Sequence, residues 1–166
     1  MNDARAVALL GGSRIARLFA GADLADAYAI RLPSGSSRDT ETLVRFMLGE
    51  RPVWLSCLMS LRDTMVAGFG IKTSRQLREG PDRIYIFRVY ETGPDEMILG
   101  EDDKHLHFRI SAQLRADGAA TELVVTTVVH CHNRLGRSYI ALIAPFHRLV
   151  VRSMLRRASR RGWPKA

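Results

Sequence analysis

The sequence predicts an α+β fold: an antiparallel sheet with one apolar face, covered by a long C-terminal helix. Three observations carry this. Residues 104–115 and 121–132 alternate apolar and polar side chains on either side of Asp117-Gly118, the pattern of two half-buried strands joined by a hairpin turn. Residues 136–161 carry a helical pattern that runs nearly to the end of the chain. Upstream, a strand pattern, two helical patterns and two further strands follow one another without a repeat.

Residues 1–22 are weakly patterned, with Ser13 placed to cap a short helix containing Ile15, Leu18 and Phe19. In Asp26–Leu32, Tyr28, Ile30 and Leu32 alternate with Ala29 and Arg31, and Pro33-Ser34-Gly35-Ser36-Ser37 ends the strand. Asp39 is a good N-cap for a short helix with the stripe Leu43, Phe46, Met47, closed by Gly49. Pro52 suits the first turn of a second helix that would bury Trp54, Cys57, Leu58, Leu61 and Met65. Gly68-Phe69-Gly70 reads as its end and not as a phosphate cradle. Ile84–Tyr90 and Glu96–Glu101 read as two strands around the turn dipeptide Gly93-Pro94.

In the hairpin, Leu106, Phe108, Ile110, Ala112 and Leu114 share a face with Leu123, Val125, Thr127, Val129 and Cys131. A type I′ turn centred on Asp117-Gly118 sets Ala116 opposite Ala119, Leu106 opposite Val129 and Ile110 opposite Val125. His105 then faces His130 across the ladder. This opposite face, carrying His105, His107, Arg109, His130 and His132, is expected to meet solvent. In the terminal helix, Tyr139, Ile143, Phe146, Val150 and Met154 fall on one side and are taken as inward, with Arg148, Arg152 and Arg156 outward and Pro145 near the exposed side.

At 166 residues and 46% hydrophobic, the chain has the size and apolar content of one domain, 1–166, ending in a basic tail from 158. Nine of the 25 basic residues lie from Arg134 onward with no acidic residue among them, so the other 16 face all 17 acidic residues earlier in the chain. The net charge of +8 therefore belongs to the terminal helix and tail. Cys57 and Cys131 sit on apolar faces without disulfide or zinc spacing, which fits a reducing cytoplasm. No run approaches the roughly 18 apolar residues of a membrane span, and no export signal is visible.

Several phrases add a resemblance. Asp26-Ala27-Tyr28 through Leu32-Pro33, Leu61-Arg62-Asp63 with Phe69-Gly70, Asp102 to Arg109, His132 to Arg137, and Pro145-Phe146-His147-Arg148 span residues 23–157. In order and wording, the chain resembles the START-related helix-grip superfamily, and more closely one uncharacterised bacterial family placed in it, found alone or appended to nucleotide-binding dehydrogenase-like domains. The resemblance implies a curved sheet gripping the terminal helix and a hydrophobic cavity between them. It brings no catalytic residue. Against the superfamily's seven strands, the roughly five counted here imply a small or closed cavity.

The candidate cavity lining is Leu106, Phe108, Ile110, Val125, Thr127, Tyr139, Ile143 and Phe146, suited to a small apolar or amphipathic molecule. Tyr139 is the one proton donor among them, too weak an acid to favour cyclase-like turnover over binding. His105, His107, His130 and His132 with Asp103 could supply ligands for iron or zinc, but a solvated face lacks the dry walls of a catalytic metal site, so no metal or other cofactor is expected. Arg148, Arg152 and Arg156 are anion-binding candidates whose stripe could follow phosphates of nucleic acid or of an anionic membrane surface; neither is the favoured reading, and stacking on single strands has little support because Trp163 is the only aromatic residue near the tail.

Overall fold

A computed structural model of the chain describes residues 3–49 and 82–166. The helix expected after Pro52, its Cys57, and the Gly68-Phe69-Gly70 end lie outside the described residues. Within them, seven strands form one antiparallel sheet: β1 (Arg5–Ala6), β2 (Leu24–Leu32), β3 (Arg83–Ile84), β4 (Phe87–Thr92), β5 (Glu96–Asp102), β6 (Leu106–Asp117) and β7 (Ala120–Cys131). Their order across the sheet is β1-β2-β7-β6-β5-β4-β3. Two helices, α1 (Thr40–Gly49) and α2 (Arg134–Arg161), accompany it.

The count of five strands becomes seven for local reasons. β1 is two residues long, too short to alternate visibly. The segment read as one strand, Ile84–Tyr90, is folded back on itself: Tyr85 adopts φ +61°, a conformation uncommon outside glycine, and Ile84 pairs with Phe87.

The hairpin keeps its expected faces but pairs two residues further along. Leu106 faces Cys131, Phe108 faces Val129, Ile110 faces Thr127, and His107, not His105, faces His130. Asp117 pairs with Ala120 across a loop of Gly118-Ala119, in which Gly118 (φ +61°) alone takes a positive φ. That is the type II′ requirement, glycine first, and it spares Asp117 the left-handed conformation that a type I′ turn would impose. An even shift preserves every side chain's face, so the apolar pattern did not distinguish the two registers.

Both sheet faces are covered, contrary to the expectation of a solvated reverse side. Residues 7–22 run across the back, following on from β1 at the sheet edge. Val7, Leu9 and Leu10 pack on Ala27, Ala29 and Val124, and Ile15, Leu18 and Phe19 pack around Ile98 and Val128. Two buried carboxylates fasten this segment. Glu122, 0% exposed, accepts two hydrogen bonds from Arg5 (2.6 and 3.0 Å) and one from Arg115 (2.9 Å). Glu96 accepts from the hydroxyls of Ser13 and Ser111 (both 2.5 Å) and from the Arg14 backbone N–H. Ser13 thus tethers the segment to the sheet, and the expected helix is a 3-10 turn over Ala16–Leu18.

On the front, α1 starts where expected, with the Asp39 carboxylate accepting from the Thr42 and Glu41 N–H groups (3.1 and 3.3 Å). It buries Leu43, Val44, Met47 and Leu48, while Phe46 packs on Trp163. For α2, Asn133 is the N-cap, its side-chain oxygen accepting from Gly136 N at 2.9 Å. The helix buries Gly136, Ile140, Leu155 and Ala158, so its phase differs from the expected one: Phe146, taken as inward, is 46% exposed. Small residues set this phase. A Cβ on Gly136 would lie 2.3 Å from the His105 carbonyl oxygen, so only glycine lets the first turn of α2 sit against the turn between β5 and β6.

Gly136→Ala should therefore destabilise the protein by about 1–3 kcal/mol in urea unfolding, because the obstacle is backbone. Arg5 and Arg115 hold the Glu122 carboxyl below its ordinary range, Arg5 contributing most. A depressed folded-state pKa gives stability that is present above the unfolded-state value and lost as pH falls through the folded one. Glu122→Gln should lower stability at neutral pH by about 1–3 kcal/mol and flatten its loss on acidification, read from urea midpoints across pH.

Candidate functional site

The apolar packing between sheet and α2 is divided. One cluster gathers Tyr28, Ile30, Val125, Leu155 and Ala158 with α1. The other gathers Leu24, Leu106, Val129, Cys131 and Ile140, with Phe108, Tyr139 and Ala144 against it. The seam between them is polar on three successive elements. Asp26 lies between Leu24 and Tyr28 on the front face of β2, and its partner across the ladder is Thr127, between Val125 and Val129 on β7. His147 stands on α2 between Ala144 and Val151, and its Nε2 lies 3.3 Å from Asp26 Oδ1.

Asp26 Oδ2 is buried and makes no hydrogen bond; the nearest cation, Arg148 Nε, is 3.9 Å away. A carboxylate oxygen in this state is an acceptor with spare capacity in a place where water is scarce. Tyr28, next on the same face, has its phenol pushed up by burial and then by the Asp26 charge, so it stays protonated. Half-buried apolar side chains lie near the seam: Phe108 and Tyr139 pack against one cluster, Ile110 against the other, and Ile143 is half-buried on α2 four residues before His147. Phe108 meets Phe87 edge to face at 5.9 Å, and Phe87 meets Tyr85 at 6.2 Å, forming an aromatic row toward the β3 edge.

Of the expected lining residues, Leu106, Val125 and Thr127 are buried on the front face, Phe108, Ile110, Tyr139 and Ile143 are half-buried, and Phe146 points outward. Two open clefts lie elsewhere, where α1 approaches β3 to β5. One, of about 280 Å³, is lined by Arg45, Leu48, Gly49, Ile84 and Tyr85. The other, of about 520 Å³, includes Arg45, Arg83, Val89, Thr92 and Met97. Neither contains a residue of the expected lining.

The histidines are engaged with protein groups. His107 stacks between His130 (5.1 Å) and His132 (5.0 Å), and its Nδ1 lies 3.2 Å from His132 Nε2. Burial, then the positive charge that His130 and His132 can carry, pushes the His107 imidazole down, so it is neutral at neutral pH. His130 Nε2 donates to the Leu18 carbonyl at 2.8 Å, and His105 Nδ1 lies 2.8 Å from Asn133 Nδ2. Asp103 N donates to the Leu106 carbonyl, closing the turn. Among the described residues no three His, Cys, Asp or Glu side chains converge in a metal-binding arrangement. Burial and then Asp23 push the Cys131 thiol up to about 11, which makes it inert as a nucleophile.

Two of the candidate arginines pair with exposed carboxylates. Arg109, on the back face, grips Asp102 with both terminal nitrogens (2.8 and 3.2 Å) and lies over the Tyr90 ring at 3.8 Å. Arg156 pairs with Asp3, while Arg148 and Arg152 remain exposed on α2. The residues that sequence reasoning passed over as a site are Asp26 and His147. The available signal was an acid on the otherwise apolar face of a strand, an arrangement that requires a partner in the fold.

Comparison with known proteins adds one finding. A family model described as "Protein of unknown function (DUF2867)" matches residues 18–154. No curated protein matches the chain, and no solved structure does.

Because His147 is the one hydrogen-bond partner of the Asp26 side chain among the described residues, His147→Ala should cost about 1–3 kcal/mol of stability, the penalty for a buried carboxylate left unsatisfied. Arg148→Ala, at 59% side-chain exposure, should stay within about 0.5 kcal/mol. Combining Asp26→Asn with His147→Ala should recover part of the His147→Ala loss in the same urea measurement.

Proposed function

The chain belongs to the DUF2867 family of proteins of unknown function, and from the geometry of its seam we propose that it binds a small amphipathic molecule between the sheet and α2. The observation that carries this is the unsatisfied Asp26 Oδ2 in a polar band that separates two apolar clusters. Such a band weakens the core unless a further donor uses it. A ligand with an N–H or O–H group would donate to Asp26 while its apolar body lies against Phe108, Ile110, Tyr139 and Ile143. Selectivity follows from the cost of leaving Asp26 Oδ2 without a hydrogen bond when a purely apolar competitor binds.

The wider reading is a helix-grip domain of the START-related kind, supported by the sheet order and the long terminal helix. A single cytoplasmic domain of bacterial origin is part of that reading, and the buried free thiol of Cys131 is in keeping with a reducing compartment. A second reading, turnover of the bound molecule, gains one specific observation: the Asp26–His147 pair supplies an inward titratable group that the sequence alone did not offer.

Native mass spectrometry of protein purified from its own cells, followed by denaturation, should release a small molecule of defined mass. Phe108→Ala, Ile143→Ala and Asp26→Asn should each reduce the retained fraction by about tenfold, while His105→Ala and His130→Ala leave it unchanged. Retention lost only in the histidine variants would reject the seam as the site. Incubation with the isolated molecule separates the readings: recovery unchanged means binding, and conversion that stops in His147→Gln means catalysis.

A further inference from the structure

The exposed side of α2 carries Leu142, Phe146 and Leu149, which are 55%, 46% and 56% exposed and are the three large hydrophobic residues most open to solvent among the described residues. At i, i+4 and i+7 they form one stripe, and none belongs to any of the apolar clusters. Arg134 and Arg152, both exposed, lie along one flank of that stripe, Arg148 stands further round toward Asp26, and Arg160 falls in line with the stripe toward the C-terminus. From Glu122 to the end of the chain there is no other acidic residue. The helix is thus amphipathic on the side turned away from its own sheet, with cations beside an apolar strip.

We propose that this face of α2 docks on an anionic lipid bilayer, with Leu142, Phe146 and Leu149 entering the headgroup region and the arginines paired with lipid phosphates. The charge pattern selects this occupant. A second copy of the chain would set these arginines against one another, and three half-exposed side chains fall well short of the roughly 800 Å² per partner of a stable protein interface. A phosphate polymer would leave the apolar stripe in water. An in-plane amphipathic helix uses both features.

The test is co-sedimentation of the full chain with vesicles of phosphatidylcholine alone and of an equal mixture with phosphatidylglycerol. Binding to the mixed vesicles that weakens as salt rises is expected. Arg134→Glu with Arg152→Glu should lower the partition coefficient by roughly tenfold or more. Leu142→Ser with Leu149→Ser should lower it comparably while circular dichroism and urea midpoints stay at wild-type values, because both sites are exposed. Three outcomes would overturn the proposal: no sedimentation with either vesicle, binding unaffected by the leucine substitutions, or concentration-dependent dimerisation that the same substitutions abolish.

Discussion

Two long strands joined by a two-residue loop stand at the centre of the sheet, and their pairing constrains everything around them. β6 and β7 each extend over 12 residues, and both of their faces need cover, since one is apolar and the other carries Val124 and Val128 between polar groups. An amphipathic helix covers one face. The other is covered by a segment with little helical or strand character, which must therefore be held by specific bonds. Glu96 and Glu122 provide them: each is an ionisable group taken out of water, tolerable only because serine hydroxyls, a backbone N–H and arginines converge on it. Such anchoring is directional, and it fixes the N-terminal segment to one path over the sheet.

The front face shows the same chemistry left incomplete. Asp26 has His147 on one oxygen and no hydrogen bond on the other, whereas Glu122 is bound on both. Buried polar groups in folded proteins are satisfied as a rule, so an exception in the middle of a helix–sheet contact has informational value. It is also the point where apolar packing changes from one cluster to another. The second oxygen has only the Arg148 guanidinium, at 3.9 Å, beyond hydrogen-bond reach.

Much of this architecture was legible in the sequence. The strands β2, β5, β6 and β7, helix α1 and helix α2 all follow from periodicity and caps, because alternation and Asx capping are local effects. What escaped reading depends on interactions that periodicity does not encode. Gly118 satisfies either hairpin turn, so the register could move by two without disturbing any face. Tyr85 breaks a strand with a positive φ that no glycine advertises. The phase of α2 was inferred from its large apolar residues, yet it is Gly136 that fixes which side touches the sheet, through the absence of a side chain. The Asp26–His147 contact joins residues 121 positions apart and has no local signature.

The displaced phase of α2 also resolves a tension in its composition. A helix with arginines at 134, 137, 148, 152, 156, 157, 160 and 161 and with Ile140, Ile143, Phe146, Leu149 and Leu155 interspersed has more apolar surface than one sheet contact can use. With Gly136, Ile140, Leu155 and Ala158 on the sheet, Phe146 and Leu149 are left outside by geometry. Within the phrase Pro145-Phe146-His147-Arg148 the two sides of the helix meet at adjacent positions: His147 reaches in to Asp26 while Phe146 faces out. One turn of helix thereby connects the polar seam to the outer surface, and a ligand that strengthens the seam would stabilise the same turn that presents Phe146.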